Sequence, residues 1–157
     1  MEGSIAALEA SWLGVAMRDH PYLYPIVNVT HLFGMVLIVG GIGLLDLRLL
    51  GFARQIPLLA IYGLLTGAAA IGIVIQVSSG IPLFASDATA LIGNDAFVLK
   101  MLLFAVALTN ALAFRLLWRG HIAGWDRHPP LFGLVQAALS LMLWLSIAAL
   151  GRWIAYA

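Results

Sequence analysis

The sequence predicts an all-α integral membrane protein: a four-helix bundle of up-down topology, preceded by a short N-terminal amphipathic helix at the membrane interface. Two observations carry this. The chain has 157 residues, 63% of them hydrophobic and only 10% charged, whereas an ordinary soluble domain is about 25% charged. Its apolar residues are gathered into four long runs, each of about 20 residues, the length a helix needs to cross roughly 30 Å of hydrocarbon.

The N-terminal stretch 4–17 spaces Ile5, Leu8, Trp12 and Val15/Ala16 at helical intervals, the pattern of a helix lying on a membrane surface. It does not read as a secretion signal, because Glu2 and Glu9 stand where positive charge is needed and no apolar run precedes Arg18-Asp19. The spans are expected at about 24–45, 57–77, 96–118 and 131–150, in one membrane domain covering 1–157. Helices are required because every backbone N–H must be satisfied inside the span. Prolines punctuate the runs: Pro21 and Pro25 before span one, Pro57 opening span two, Pro82 following it, Pro129-Pro130 opening span four.

Four spans place both termini on one side, side A, with the loop near 82–95. The loops near 46–56 and 119–129 fall on side B. Side B carries Arg48, Arg54, Arg115, Arg119 and Arg127 against Asp46 and Asp126. Side A carries Arg18, Lys100 and Arg152 against Glu2, Glu9, Asp19, Asp87 and Asp95. The positive-inside rule then makes side B cytoplasmic and puts both termini in the periplasm of a bacterial inner membrane.

Composition also excludes chemistry. Without cysteine there are no disulfides, thiolate metal sites or iron–sulfur clusters. A net charge of +1 argues against a nucleic-acid partner. The expected partner is the lipid bilayer, and nothing in the sequence forbids a homo-oligomer. Small residues (Gly34, Gly40, Gly41 and Gly43 in span one; Gly63, Gly67 and Gly72 in span two) predict close packing of these two helices, with Gly63 and Gly67 forming a G-x-x-x-G.

Polar residues at membrane depth are costly and carry the functional signal. Threading the chain gathers Asn28, Thr30 and His31, then Gln76, Ser78 and Ser79, then Asp95 and Lys100, then Arg152 into the side-A leaflet. His31 is the only histidine inside a span, and points to a haem or metal ligand or a proton carrier, against a merely buried and hydrogen-bonded imidazole. Lys100 and Arg152 suit haem propionates, a quinol oxygen or Asp95, against snorkelling to headgroups. A di-haem cytochrome b is excluded, since it needs four intramembrane histidines. His20 and His31 would stand about 16 Å apart on one helix, too far to share an iron. What remains is one b-type haem near His31, with Lys100, Arg152, Gln76 and Asn28 around it, or copper held by His31 and Met35. The protein would exchange electrons with quinol or a periplasmic redox partner, or serve as an accessory subunit without a cofactor. Toward side B, Asp46 is expected to pair with Arg115 or Arg48, and His121 and His128 to be solvated.

The segments His31-Leu32-Phe33-Gly34, Asp46-Leu47-Arg48-Leu49-Leu50-Gly51, Leu83-Phe84-Ala85-Ser86-Asp87-Ala88, Asn94-Asp95-Ala96-Phe97-Val98-Leu99-Lys100 and Gly151-Arg152-Trp153-Ile154-Ala155-Tyr156 resemble an uncharacterised family of bacterial four-helix inner-membrane proteins over nearly the whole chain. More distantly, the layout resembles the membrane domain of copper-resistance protein D and the HemJ-type protoporphyrinogen oxidase. Both have an early-helix His, an Arg closing that helix and a Lys in a later helix preceded by an aromatic, matched here by His31, Arg48, Lys100 and Phe97. The resemblance implies a haem- or copper-linked membrane protein. Asp46-Leu47-Arg48 departs from the Leu-Pro-Arg of the oxidase, and no second histidine follows Lys100 within the helix.

Overall fold

The computed structural model describes residues 2–156, with the side chain of Glu2 left out; Met1 and Ala157, and the Glu2 charge counted for side A, lie outside the described residues. Among the described residues the structure is mostly helical, joined by turns and loops, without strands. Its elements are α1 (Glu2–Glu9), α2 (Trp12–Asp19), α3 (Leu23–Ile38), a π turn (Val39–Gly43), α4 (Leu44–Leu49), α5 (Leu58–Ser86), α6 (Ala88–Ile92), α7 (Asp95–Trp118) and α8 (Leu131–Trp153). The first span is α3, the π turn and α4 run together, Leu23–Leu49. With α5, α7 and α8 it makes four helices long and apolar enough to cross a membrane.

The surface fits that solvent. A soluble protein of 16.8 kDa exposes about 7,600 Å², whereas this chain exposes 9416 Å². Ile26, Val29, Phe33 and Val36 of α3, Leu64, Ile71 and Val74 of α5, Leu102 and Val106 of α7 and Leu139 and Met142 of α8 all point outward. No soluble monomer carries an apolar belt of that extent.

The first two spans pack along a stripe written in both sequences. His31, Gly34, Ile38 and Gly41 recur at helical spacing and meet Ser79, Gln76, Gly72 and Ala69 running the other way. A Cβ on Gly72 would stand 2.8 Å from the Gly34 carbonyl, and one on Gly41 would stand 2.6 Å from the Leu65 carbonyl. Only glycine permits this approach. The expected close packing is therefore present, but Gly63 and Gly67 do not make it. Nothing lies within 4 Å of a Cβ at either, because both fall off the stripe that faces α3.

Several boundaries depart from the sequence reading, and the first span, expected to end at 45, runs on to Leu49. Span two does not stop before Pro82; α5 continues to Ser86 with the proline inside it. The lost N–H of Pro82 costs the helix one bond, and docking of α2 on this last turn offsets it. Gly14 of α2 packs against the Ala85 carbonyl, Arg18 Nη1 donates to the Ser86 carbonyl at 3.0 Å, and Met17 and Ala85 are buried. Nor is the N-terminal stretch one surface helix. It breaks at Ser11, whose side chain caps α2 by accepting from Gly14 N at 3.3 Å. α1 then folds onto α6, where Glu9 accepts from the Thr89 backbone at 3.1 Å and from its hydroxyl at 2.6 Å. The fourth span runs to Trp153, with its expected start at Leu131.

On side B the two loops interlock. Arg48, 3% exposed, binds Asp126 through both guanidinium nitrogens at 2.8 Å and donates from Nε to the Ile56 carbonyl at 2.9 Å. Trp125, fully buried, donates to the Leu49 carbonyl at 3.1 Å and lies over Gly133. Arg48 thus pairs with Asp126 and not with Asp46. Its long side chain reaches past the helix end into the loop, which Asp46, one turn inside the span, does not.

Candidate functional site

The seam between spans sets where space is left. α3 packs on α5 and α7 on α8 over long stretches. The two pairs join mainly through the π turn and α4 against α8. The side-A half of α3 has no comparable approach to α8. A cleft of about 1050 Å³ opens there, among α3, the Gln76 turn of α5, the α6–α7 junction and the end of α8. Its lining includes Asn28, His31 and Met35 from α3, Gln76 from α5, Lys100 from α7 and Arg152 from α8. Side chains from four helices that are distant in sequence thus line one space.

His31 sits at the floor, half-buried against α5. Its Nδ1 is 2.9 Å from Ser79 Oγ and its Nε2 is 2.6 Å from Gln76 Nε2. One tautomer satisfies all partners. The Ser79 hydroxyl donates to the Ile75 carbonyl at 2.5 Å, so its oxygen accepts from Nδ1–H. Nε2 then carries the lone pair and accepts from the Gln76 amide. Gly80 lies beside the ring, where an added Cβ would stand 3.4 Å from Cε1, an ordinary contact distance. Gln76 Oε1 is buried without a partner, turned into the α3–α5 seam where a Cβ on Gly34 would stand 3.0 Å from it.

The cations are arranged differently. Lys100 is half-buried and lies along Gly151 of α8, whose added Cβ would be 3.5 Å from Nζ. Arg152 is exposed, donates to the Tyr156 hydroxyl one turn on, and sits 4.7 Å from the centre of that ring. Asn28 is exposed at the mouth. Asp87 and Asp95 also line the cleft, so its rim carries both signs. Phe97 does not face this space; it stacks on Phe84 at 5.6 Å and ties the start of α7 to the end of α5. Among the described residues no group of three or more His, Asp or Glu stands close enough to cage a metal ion. His20 lies in the turn between α2 and α3, where its Nδ1 accepts from Tyr22 N at 3.4 Å. His121 and His128 are exposed on side B, as expected.

A profile of the family of unknown function DUF6644 matches residues 5–157. The chain belongs to that family. No curated protein and no solved structure matches it. The DUF6644 match spans every element described above except the start of α1, so the cleft and its lining lie wholly within the family's domain.

Sequence reasoning singled out Gln76 but not its orphaned oxygen, and it left Ser79 among the general polar residues of span two. The signal for Ser79 was present: it falls three residues after Gln76, on the same helical face. Asp46 was assigned to an ion pair it does not make. Among the described residues the one ion pair joins Arg48 to Asp126.

Proposed function

We propose that this protein is a redox-linked inner-membrane protein whose side-A cleft holds one b-type haem. The observation that supports it is the shared lining: one imidazole, one half-buried ammonium and one guanidinium, from three helices, face one space of about 1050 Å³. A flat, largely apolar dianion is the ligand such a lining suits. When bound, haem would supply one-electron exchange with quinol or with a periplasmic partner. The distant likeness to copper-resistance protein D and to HemJ-type oxidases, at His31, Arg48 and Lys100, points to the same class of chemistry. Basic side-B loops support a periplasmic side A.

The residues present fit the group, on one condition. Ser79 holds the tautomer in which His31 Nε2 bears the lone pair, the arrangement a ligating histidine needs. The Gln76 amide caps that lone pair at 2.6 Å and has to turn away for ligation. Lys100 and Arg152 would face the propionates, Arg152 exchanging Tyr156 for a carboxylate, which is the stronger, charge-assisted partner. Leu32, Leu91 and Ala148 close the cleft with apolar surface.

Purified protein, expressed with haem supplied, should show a Soret band that His31→Ala abolishes; protein without a Soret band would sink the reading. A second reading rests on Met35, which lines the same cleft one turn beyond His31. Copper bound by these two side chains would be retained through purification and lost in His31→Ala, and unchanged copper in that variant would rule it out.

A further inference from the structure

The side-A cleft has one wall that no span supplies. α6 presents Ala90 and Leu91 to it, and Gly93 and Asn94 continue that wall to the start of α7. A helix of five residues does not hold itself in water, because its nucleation cost is not recovered over so few bonds. Its own sequence gives it little help. Ala88 is the one buried residue in it, and the Asp87 side chain, at the N-cap position, makes no capping hydrogen bond. α6 packs more on α1 than on α5 or α7.

The missing cap comes from α1. Glu9, the last residue of α1, accepts from the Thr89 backbone at 3.1 Å and from the Thr89 hydroxyl at 2.6 Å. The carboxylate therefore sits on the first turn of α6, where orphan N–H groups favour negative charge. α2 keeps Glu9 in that place. Arg18 donates from Nη2 to the Glu9 carbonyl at 2.8 Å and from Nη1 to the Ser86 carbonyl at 3.0 Å. Gly14 lets the helix ends meet, since a Cβ there would collide with the carbonyls of Glu9 and Ala85. The wall is also separable from its neighbours in sequence. α5 ends at Ser86, and Asp87 leaves helical geometry at φ −153° and ψ 44°. α7 carries its own cap, because Asn94 Oδ1 accepts from Phe97 N at 3.1 Å. α6 can thus leave its place without unwinding either span.

We infer that α1 is a strap that holds α6 as the movable wall of the side-A cleft, with Glu9 as its clasp. With the clasp fastened, α6 narrows the mouth of the cleft. With it open, α6 frays and solutes from the side-A water reach the floor where His31 lies. Elements with so little buried surface are the ones that open locally while the rest of a fold stays intact. The inference concerns the entrance and not the occupant, so it does not depend on the haem reading.

The test uses the full-length protein in lipid nanodiscs. Ala148→Cys, on the part of the cleft that α8 supplies, gives the chain its one thiol. A sulfonated methanethiosulfonate reagent reads the access of that thiol from water. Adding Glu9→Ala should speed labelling about fivefold or more, the effect of losing one helix cap. Deuterium uptake across residues 87–93 should rise in the same variant, while uptake in α7 stays as in wild type. Glu9→Gln, which keeps an acceptor for Thr89, should restore most of the protection. Thr89→Val, which removes only the hydroxyl donor, should fall between wild type and Glu9→Ala. Ala96→Cys lines the same cleft and serves if Ala148→Cys does not fold. A thiol at Ala123, exposed in the side-B loop, should label at one rate in every background. Unchanged labelling in Glu9→Ala, or faster uptake across 87–93 without faster labelling, would overturn the inference. A rate that rises at Ala123 as well would mean general loosening and would also overturn it. A missing Soret band alongside the expected labelling would remove the haem reading and leave the strap standing.

Discussion

Arg48 shows how a single side chain can join two loops. Its guanidinium is buried, and its carboxylate partner Asp126 stays 45% exposed at the surface. Asp126→Asn keeps one acceptor for Arg48 but removes the charge and the second acceptor from a buried guanidinium, so it should cost about 1–3 kcal/mol, read as a lower melting temperature in detergent. The pH dependence follows from the same contact. The hydrogen bonds from Arg48 hold the Asp126 carboxyl below its ordinary range, with the charges of Arg48 and Arg54 adding to the effect and desolvation partly opposing it. Because the folded value lies below the unfolded value of about 3.9, the contribution is fully present at neutral pH and is lost as pH falls through the folded value. The melting-temperature gap between wild type and Asp126→Asn should thus hold steady near neutrality and close below about pH 4. Glu9, held low by hydrogen bonds from the Thr89 hydroxyl and backbone, should release α1 from α6 over the same acid range. A gap that persists in acid would show that Asp126 acts through something other than this pair. These partners were hidden from sequence reasoning for a physical reason. Arg48–Asp126 spans 78 residues and Glu9–Thr89 spans 80, and no helical period links positions so far apart. Residue types at membrane depth, by contrast, marked His31 and Lys100 directly.

At the scale of elements, the pairing of α3 with α5 depends on where glycine stands, not on how many glycines there are. Gly72→Val would drive a side chain into the Gly34 carbonyl and Ile38, both within 2.9 Å of an added Cβ. It should destabilise by about 1–3 kcal/mol and disturb the His31–Gln76 contact one turn away. Gly63→Val and Gly67→Val, facing open space, should leave the melting temperature of the monomer nearly unchanged. A reversed order would mean that the two helices pack on another face. The G-x-x-x-G spacing was legible, but a motif states which residues share a face and not what that face meets. The rule that proline ends a helix failed at Pro82 for a similar reason, since α2 docks on the turn that follows it. The π turn was not legible either. Val39–Gly43 reads as a glycine-rich piece of helix, and only packing on α5 and α8 together widens it. After that turn Leu45, Asp46, Arg48 and Leu49 become the buried side chains.

For the whole molecule, the four spans and their alternation were legible because lipid leaves the backbone no alternative to helices. The absence of cysteine makes topology easy to check. Single cysteines at Ala53 and Arg127 should react with an impermeant maleimide from one side of the membrane, and those at Ala90 and Ala155 from the other. Labelling of all four from one side would break the up-down order. The splay between the two helix pairs was not legible, because it depends on which seams close. It is also what gives the bundle a cleft on side A and a smaller cavity on side B, with a dry layer of Ile38, Trp144 and Ile147 between them. A simple anchor would need neither space. The most direct test of the haem assignment is the absorption spectrum of the protein purified from cells supplied with haem. A Soret band present in wild type, lost in His31→Ala and weakened in Lys100→Ala is the expected result. A spectrum without that band, or one that His31→Ala leaves unchanged, would contradict the assignment of His31 as the ligand in this cleft.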